Sequence, residues 1–235
     1  MYKDANITFV GCSRWLSGRA KKSYLLRGKA VLSIPNPIDT KVYHPMDQGM
    51  ARELLGLPSG KRLLLFGALN VTDKRKGIDY LIEALRRMEK QDVELVVFGQ
   101  VKDDIRGLFP VPIHSMGYLS DESKIVALYN AVDMFITSSL EENLPNTIME
   151  SMACGTPCVG FEIGGIPEMI DHRVNGYVAN YKDAGDLANG IQWVLEHEDR
   201  LALSDACVKK VQENYTEEVV AKPVSYTHLT LPTIC

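Results

Sequence analysis

Ser138-Ser139-Leu140-Glu141-Glu142-Asn143-Leu144-Pro145-Asn146-Thr147-Ile148-Met149-Glu150-Ser151-Met152-Ala153-Cys154-Gly155 follows the apolar run Met134-Phe135-Ile136. Together they read as a buried strand, a turn, and a helix opening at about Pro145. Glu142 falls in the turn and Glu150 lies about a turn and a half into the helix. Two carboxylates therefore stand at the mouth of a strand-to-helix junction, and open α/β sheets bind ligands at the carboxyl ends of their strands. The chain has fifteen glutamates. Roughly one pair eight apart is expected by chance, so the spacing counts only with its context. The alternative is a solvated turn glutamate and a surface helix glutamate.

The context extends outward on both sides. Downstream, Gly155 ends the helix, an apolar strand covers 157–161, and Gly164-Gly165-Ile166-Pro167-Glu168 and Asn175-Gly176 follow. Upstream, strands and helices alternate from Gln48 onward. Residues 62–67, 93–98, 113–116, 134–137 and 177–179 read as further strands. Ile78, Leu81, Ile82, Leu85 and Met88 repeat at helical spacing. Residues 120–132 read as a helix with Ser120 as N-cap, and helices are expected over 184–196 and 200–214. Before these come a strand (7–12), a basic helix (14–27) and a strand (30–34), closed by Pro35-Asn36-Pro37, which breaks regular structure. Repeated β-then-α units imply an α/β fold, a Rossmann-like parallel sheet with helices on both faces. No fixed-period repeat is visible.

With 235 residues and 46% hydrophobic composition, the chain can form one full core and part of another. A net charge of −4 gives no electrostatic pointer to nucleic acid. Apolar runs are too short to cross a bilayer, and Met1-Tyr2-Lys3-Asp4 does not open a signal peptide. The five cysteines lack metal-ligand spacing and read as reduced thiols of a cytoplasmic protein. The five histidines show no ligand-spaced pair, and there is no Asp-x-Asp to hold a metal on a diphosphate. Trp15 and Trp193 read as packing residues.

The run from Glu142 to Gly160, with Gly-Gly-Ile-Pro-Glu and Asn-Gly in order after it, resembles the retaining glycosyltransferases with two Rossmann-like domains. This is the GT-B fold of the glycosyl transferases group 1, or family 4, type, which includes sucrose and bacterial polysaccharide transferases. The similarity spans roughly residues 7–221 and rests on motifs occurring together. It implies that 1–34 is the tail of an N-terminal acceptor domain, 35–46 the interdomain linker, and 47–222 a C-terminal nucleotide-sugar-binding domain short of its final helix. Residues 223–235 resemble a translated sequencing adapter rather than a native segment.

By the same resemblance the donor is a UDP- or GDP-sugar with no further cofactor, and the acceptor is a glycan or lipid-linked acceptor, while the missing Asp-x-Asp favours metal-independent chemistry. Glu142 faces the donor hexose, near the cationic charge that develops at the anomeric carbon. Glu150 accepts the ribose hydroxyls. Lys76 holds the diphosphate. Arg75 substitutes for a family arginine, because the usual Gly-Arg-Leu reads Gly67-Ala68-Leu69 here. Asn143, Leu144, Asn146 and Thr147 line the hexose and the helix N-terminus, with Asn143 offering an amide where the family's Glu-Gly-Phe-Gly reads Glu142-Asn143-Leu144-Pro145. Gly67, Gly99, Gly117 and Tyr118 frame the base and ribose, or are ordinary turn residues. Gly164-Gly165 lets a loop pass close to the cleft, and Glu168 caps the short helix beside it. The implied reaction is hexosyl transfer with retention, in surface polysaccharide biosynthesis.

Two other readings stay open: a sugar-nucleotide epimerase on the same fold, and a non-catalytic nucleotide-binding fragment. Arg14, Arg19, Lys21, Lys22 and Arg27 either form a solvated helix face or make a peripheral contact with anionic lipid at the inner face of the plasma membrane.

Overall fold

Leu63 and Leu65 point to one side of their strand and Leu64 and Phe66 to the other, and all four are buried. A strand apolar on both faces must be covered on both. The computed structural model describes residues 7–70, 73–88, 92–100 and 106–222. That strand, β3 (Arg62–Asn70), lies third in a six-stranded parallel sheet with β4 (Val93–Gln100), β5 (Ile113–Gly117), β6 (Met134–Thr137), β7 (Cys158–Phe161) and β8 (Gly176–Ala179). The order is β5-β4-β3-β6-β7-β8.

Helices α2 (Gln48–Leu55), α4 (Glu122–Ala131), α5 (Asn146–Ala153) and α8 (Arg200–Asn214) cover the face of Leu63 and Leu65. Helices α3 (Ile78–Arg87) and α7 (Ala184–Leu195) cover the face of Leu64 and Phe66. At Gly190 of α7 an added Cβ would lie 2.5 Å from the Tyr177 ring. The helix thus approaches the sheet more closely than any larger residue would permit.

The strand order locates the site. From β3 the chain moves outward through β4 and β5, then returns to the other side of β3 to form β6. The reversal lies between β3 and β6, and ligands of open α/β sheets bind outside the carboxyl ends of the strands at such a switch point. Leu64↔Met134 and Phe66↔Ile136 set the register there. The segments that leave these two strands, 73–77 and 138–143, face each other across the crevice.

A smaller unit precedes the sheet. Strands β1 (Thr8–Gly11) and β2 (Ala30–Ser33) pair in parallel around helix α1 (Arg14–Lys22). The segment 34–47 then leads to α2, with Ile38 donating its N–H to the Tyr215 carbonyl at 2.9 Å.

Element boundaries differ from the sequence reading at several ends, β3 running to Asn70 rather than 67 among them, and three of the differences bear on the site or its helices. The basic helix stops at Lys22, not 27, because Ser23 turns extended and a short 3-10 turn, Tyr24–Leu26, follows. The N-cap of α4 is Asp121, not Ser120, because the Asp121 carboxylate accepts the Ser123 N–H. Pro145 is the extended residue before α5, which opens at Asn146. Residues 1–6 and the adapter-like segment 223–235 lie outside the described residues.

Candidate active site

The segment after β3 is built to turn sharply. The Asp73 carboxylate accepts the Arg75 N–H at 2.9 Å, and residues 74–76 form one 3-10 turn. Gly77 then adopts φ +63°, with its Cα so close to the Ser138 carbonyl that a Cβ would overlap it. Glycine is the residue that permits both the left-handed angle and the approach. The two segments are bonded to each other. The Leu140 N–H donates to the Arg75 carbonyl at 2.7 Å, and Ser138 Oγ donates to the Lys76 carbonyl at 3.0 Å.

This interlock aims Lys76 at Glu142. Lys76 Nζ donates to Glu142 Oε1 at 2.5 Å, with side-chain exposures of 33% and 16%. Ser139 Oγ donates to the same carboxylate oxygen at 3.0 Å. A cation and a carboxylate, fixed by a backbone lattice, therefore meet at the switch point. Glu141 is exposed, as is Lys74. Arg75 lies nearby, but its guanidinium is bonded to Asp73, Nη2 to Oδ2 at 2.7 Å, and its side chain is 68% exposed. These bonds hold the Asp73 carboxyl down at about 2.

Glu150 stands on α5, packed against α4. The fully buried Tyr129 donates its hydroxyl to Glu150 Oε2 at 2.7 Å. Burial raises the Glu150 carboxyl above its ordinary range, the nearby Glu122 adds to the rise, and the tyrosine hydrogen bond opposes it. Tyrosines 43 and 129 are both raised above theirs by burial and by the Glu150 charge.

The other expected site residues divide into groups. Asn143 is clasped from the β1–α1 corner: its Oδ1 accepts from Ser13 Oγ at 2.6 Å, and its Nδ2 donates to Cys12 Sγ at 2.8 Å. Leu144 is buried and packs in the core. Asn146 is exposed at the start of α5, where its Oδ1 accepts from Asn36 Nδ2 at 3.2 Å, and Thr147 beside it is half-buried. The N-terminus of α5 has no side-chain cap, whereas α1, α2, α4, α7 and α8 are capped by Ser13, Asp47, Asp121, Asp183 and Asp199. Gly67 makes room for the Phe98 ring, which fills the place of a side chain there. Gly99, next to last in β4, and Gly117, last in β5, have φ of +121° and +64°, and Tyr118 is exposed.

One expectation is corrected and a second is made more specific. Glu168 caps a different helix: its carboxylate accepts the Trp15 N–H at 2.7 Å and the Arg14 N–H at 2.9 Å, so it caps α1 rather than its own short helix, α6 (Ile166–Met169). Trp15 packs at the surface rather than in the core, 38% exposed. It lines a cleft of about 540 Å³ with Arg19, Arg75, Glu142 and Asn143, and the Arg19 guanidinium sits 5.2 Å from its ring centroid.

Sequence reasoning missed Ser139, Tyr129 and the Cys12–Ser13 clasp. A signal existed for Tyr129, since a tyrosine within the buried run of a helix needs a partner for its hydroxyl. Among the described residues, no group of three or more His, Cys, Asp or Glu is placed to hold a metal ion.

The sequence profile of the family described as "Glycosyl transferases group 1" matches residues 60–197, which contain β3 through α7 and both sides of the switch point. The chain belongs to the glycosyl transferases group 1 family. It is 24% identical over 198 residues to the N-acetyl-alpha-D-glucosaminyl L-malate synthase of Bacillus anthracis, covering 82% of this chain and 51% of that protein. The chain spans about half the length of the curated relatives it matches. A glycosyltransferase from Rickettsia africae superposes with TM-score 0.85 at 21% identity, over 99% of this chain and 66% of that one. The Anabaena protein Alr3699/HepE in complex with UDP-glucose superposes with TM-score 0.77 at 20% identity, over 94% and 63%. The fold of this group 1 chain is thus that of the GT-B glycosyltransferases.

Proposed function

We propose that this group 1 glycosyltransferase chain binds a nucleoside-diphosphate sugar, with UDP or GDP as nucleotide, across the β3–β6 switch point. It then transfers the hexosyl group to a hydroxyl of a glycan or lipid-linked acceptor. One observation carries the reading: Lys76 and Glu142 meet at 2.5 Å at the crevice where this sheet type takes its ligands. Lys76, assisted by Arg75, neutralises the leaving diphosphate. Uncapped N–H groups at the start of α5, by Asn146 and Thr147, add donors for the same anion. Glu142 accepts hexose hydroxyls and stabilises positive charge at the anomeric carbon. Glu150 accepts from the ribose. Gly67, Gly99, Gly117 and Tyr118 border the base, while Asn143 and Leu144 hold the shape of the hexose loop.

Retention, independence from a metal, and a role in surface polysaccharide assembly at the cytoplasmic face of the membrane are supported by the family resemblance. So is the division into an acceptor-domain tail (1–34), a linker (35–46) and a donor domain (47–222). The UDP-glucose complex of Alr3699/HepE supports a nucleotide sugar as the ligand class.

The test is calorimetric titration of the full chain with UDP and with GDP. One of them is expected to bind, and Glu150→Ala is expected to weaken that binding roughly tenfold, the value of a hydrogen bond to a charged group. Binding that is indifferent to Glu150 would remove the ribose assignment, and a folded chain that binds neither nucleotide would remove the donor site.

A peripheral membrane contact is favoured by the surface of the β1–α1–β2 unit. Residues 5–38 contain six Lys and Arg and no Asp or Glu. Tyr24 and Leu25 stand 86% and 79% exposed among them. Cations attract anionic headgroups while exposed apolar side chains enter the interface. The full chain is expected to co-sediment with phosphatidylcholine vesicles containing phosphatidylglycerol, less so in high salt, and to lose much of that binding when Tyr24 and Leu25 are both serine. Equal binding to pure phosphatidylcholine would refute the charge argument.

A further inference from the structure

We infer that Tyr129 is a positioning residue for nucleotide binding: its buried hydroxyl fixes the Glu150 carboxylate so that one oxygen is left to face the ribose. The inference rests on the assignment of Glu150 to the ribose made above and adds the group that holds it in place.

Tyr129 is fully buried, and its ring is held edge-to-face by Phe98 at 6.2 Å and Phe135 at 6.0 Å. Its carbonyl accepts from Thr156 Oγ1 at 2.7 Å, which anchors the backbone of α4 to the turn after α5. Ring and backbone are thus fixed independently of the hydroxyl. The hydroxyl has one task, to donate to Glu150 Oε2 at 2.7 Å. A glutamate on a helix surface samples several rotamers, and ordering one costs entropy at the moment of binding unless the protein has already done so. With Oε2 engaged, Oε1 has no hydrogen-bond partner among the described residues. Each carboxylate oxygen carries two lone pairs, so Oε1 can accept from the ribose hydroxyls while Oε2 stays on Tyr129.

The surroundings explain why a donor is needed. Among the described residues, the groups facing Glu150 are Glu122 and Tyr129 of α4, Tyr43 from the segment before α2, and Cys154, which closes the helix of Glu150. None is a cation. Burial and the Glu122 charge both favour the protonated acid, and the Tyr129 hydrogen bond is the opposing influence. A carboxyl whose proton affinity is already raised takes up a proton, as pH falls, sooner than an ordinary glutamate. The ribose then loses its charged acceptor. Removing the Tyr129 hydroxyl raises the proton affinity further, so the acid-side loss of binding moves to higher pH.

The experiment is a double-mutant cycle on the full chain, using whichever of UDP and GDP binds, with affinity measured from pH 4.5 to 8. Tyr129→Phe keeps the ring, and its melting temperature should stay close to that of the unaltered chain. It is expected to weaken nucleotide binding roughly tenfold and to move the acid-side midpoint upward. In the Glu150→Ala background, which lacks both the titrating carboxylate and the acceptor of the Tyr129 hydroxyl, Tyr129→Phe should have little further effect on affinity and none on the midpoint. A Tyr129→Phe loss that persists in full alongside Glu150→Ala would mean a merely structural role and overturn the inference. So would an affinity and midpoint left unchanged by Tyr129→Phe while Glu150→Ala weakens binding, in which case the ribose assignment survives alone. Unchanged affinity in Glu150→Ala would remove the ribose assignment and this inference with it.

Discussion

Asp133→Ala is expected to destabilise the chain by about 3–5 kcal/mol, the cost of leaving buried charge uncompensated. Asp133 sits just before β6, at the end of the sheet opposite the crevice, with its side chain 2% exposed. Oδ2 accepts the Leu63 N–H at 2.7 Å and Arg52 Nη2 at 3.1 Å, while Oδ1 accepts Arg200 Nη2 at 2.6 Å and Arg62 Nη1 at 3.5 Å. One carboxylate therefore joins α2, β3, β6 and the first residue of α8. Arg52 makes the loss severe. Its side chain is 6% exposed, and its remaining bonds, to the carbonyls of Ala131, Pro58, Ser59 and Lys61, satisfy its N–H groups but supply no countercharge. Thermal denaturation should show a fall of roughly 10 °C or more for a domain of this size. Arg200→Ala, at a partner 38% exposed, should cost only about 1 kcal/mol or less, since exposed pairs contribute little. Asp133→Asn, which keeps an acceptor for Leu63 but loses the charge, should fall between. Near-equal losses for Asp133→Ala and Arg200→Ala would mean that burial does not set the energy here.

The parts of this molecule that were legible in advance are those governed by local pattern. The double-faced burial of β3 could be read from Leu63-Leu64-Leu65-Phe66, because a strand apolar on both sides has few other places to go. The apolar repeat of α3 and the glycine after α5 were equally local. Lys76 and Glu142 could be placed only as candidates, because their meeting depends on the strand order, and order is set by long-range packing that no window of sequence contains. The parts that could not be read are all contacts of high sequence separation. Glu168 is 154 residues from Arg14, whose helix it caps, and Asn143 is 130 from Ser13. A carboxylate one turn into a short helix reads as that helix's own cap until the fold brings a second N-terminus to it. Trp15 reads as a packing residue from its type alone, but that it packs beside a cleft rather than in the core depends on where the fold opens the first turn of α1.

The Lys76–Glu142 pair yields the second large effect, and its two members are expected to act in opposite directions. If the diphosphate is held by Lys76, then Lys76 divides its charge between Glu142 and the ligand. Lys76→Ala should lower nucleoside-diphosphate affinity roughly 10–100-fold, the range for losing a charge-assisted hydrogen bond, while leaving the affinity for the bare nucleoside unchanged. Glu142→Gln removes the competitor and the negative charge nearest the phosphates, so the same affinity should hold or improve. Turnover should behave otherwise. The amide cannot stabilise a cationic anomeric centre as the carboxylate does, so release of nucleoside diphosphate from added sugar nucleotide should drop about 10²–10³-fold. Affinity is read by calorimetry and turnover by nucleotide release, on the same preparations. The bonds of Ser138 and Leu140 to the 75–76 backbone do not involve either side chain, so both variants should keep the crevice. A pair that served only to hold the two loops together would give another pattern: both substitutions would lower melting temperature and affinity alike, and the bare nucleoside would lose affinity along with the diphosphate.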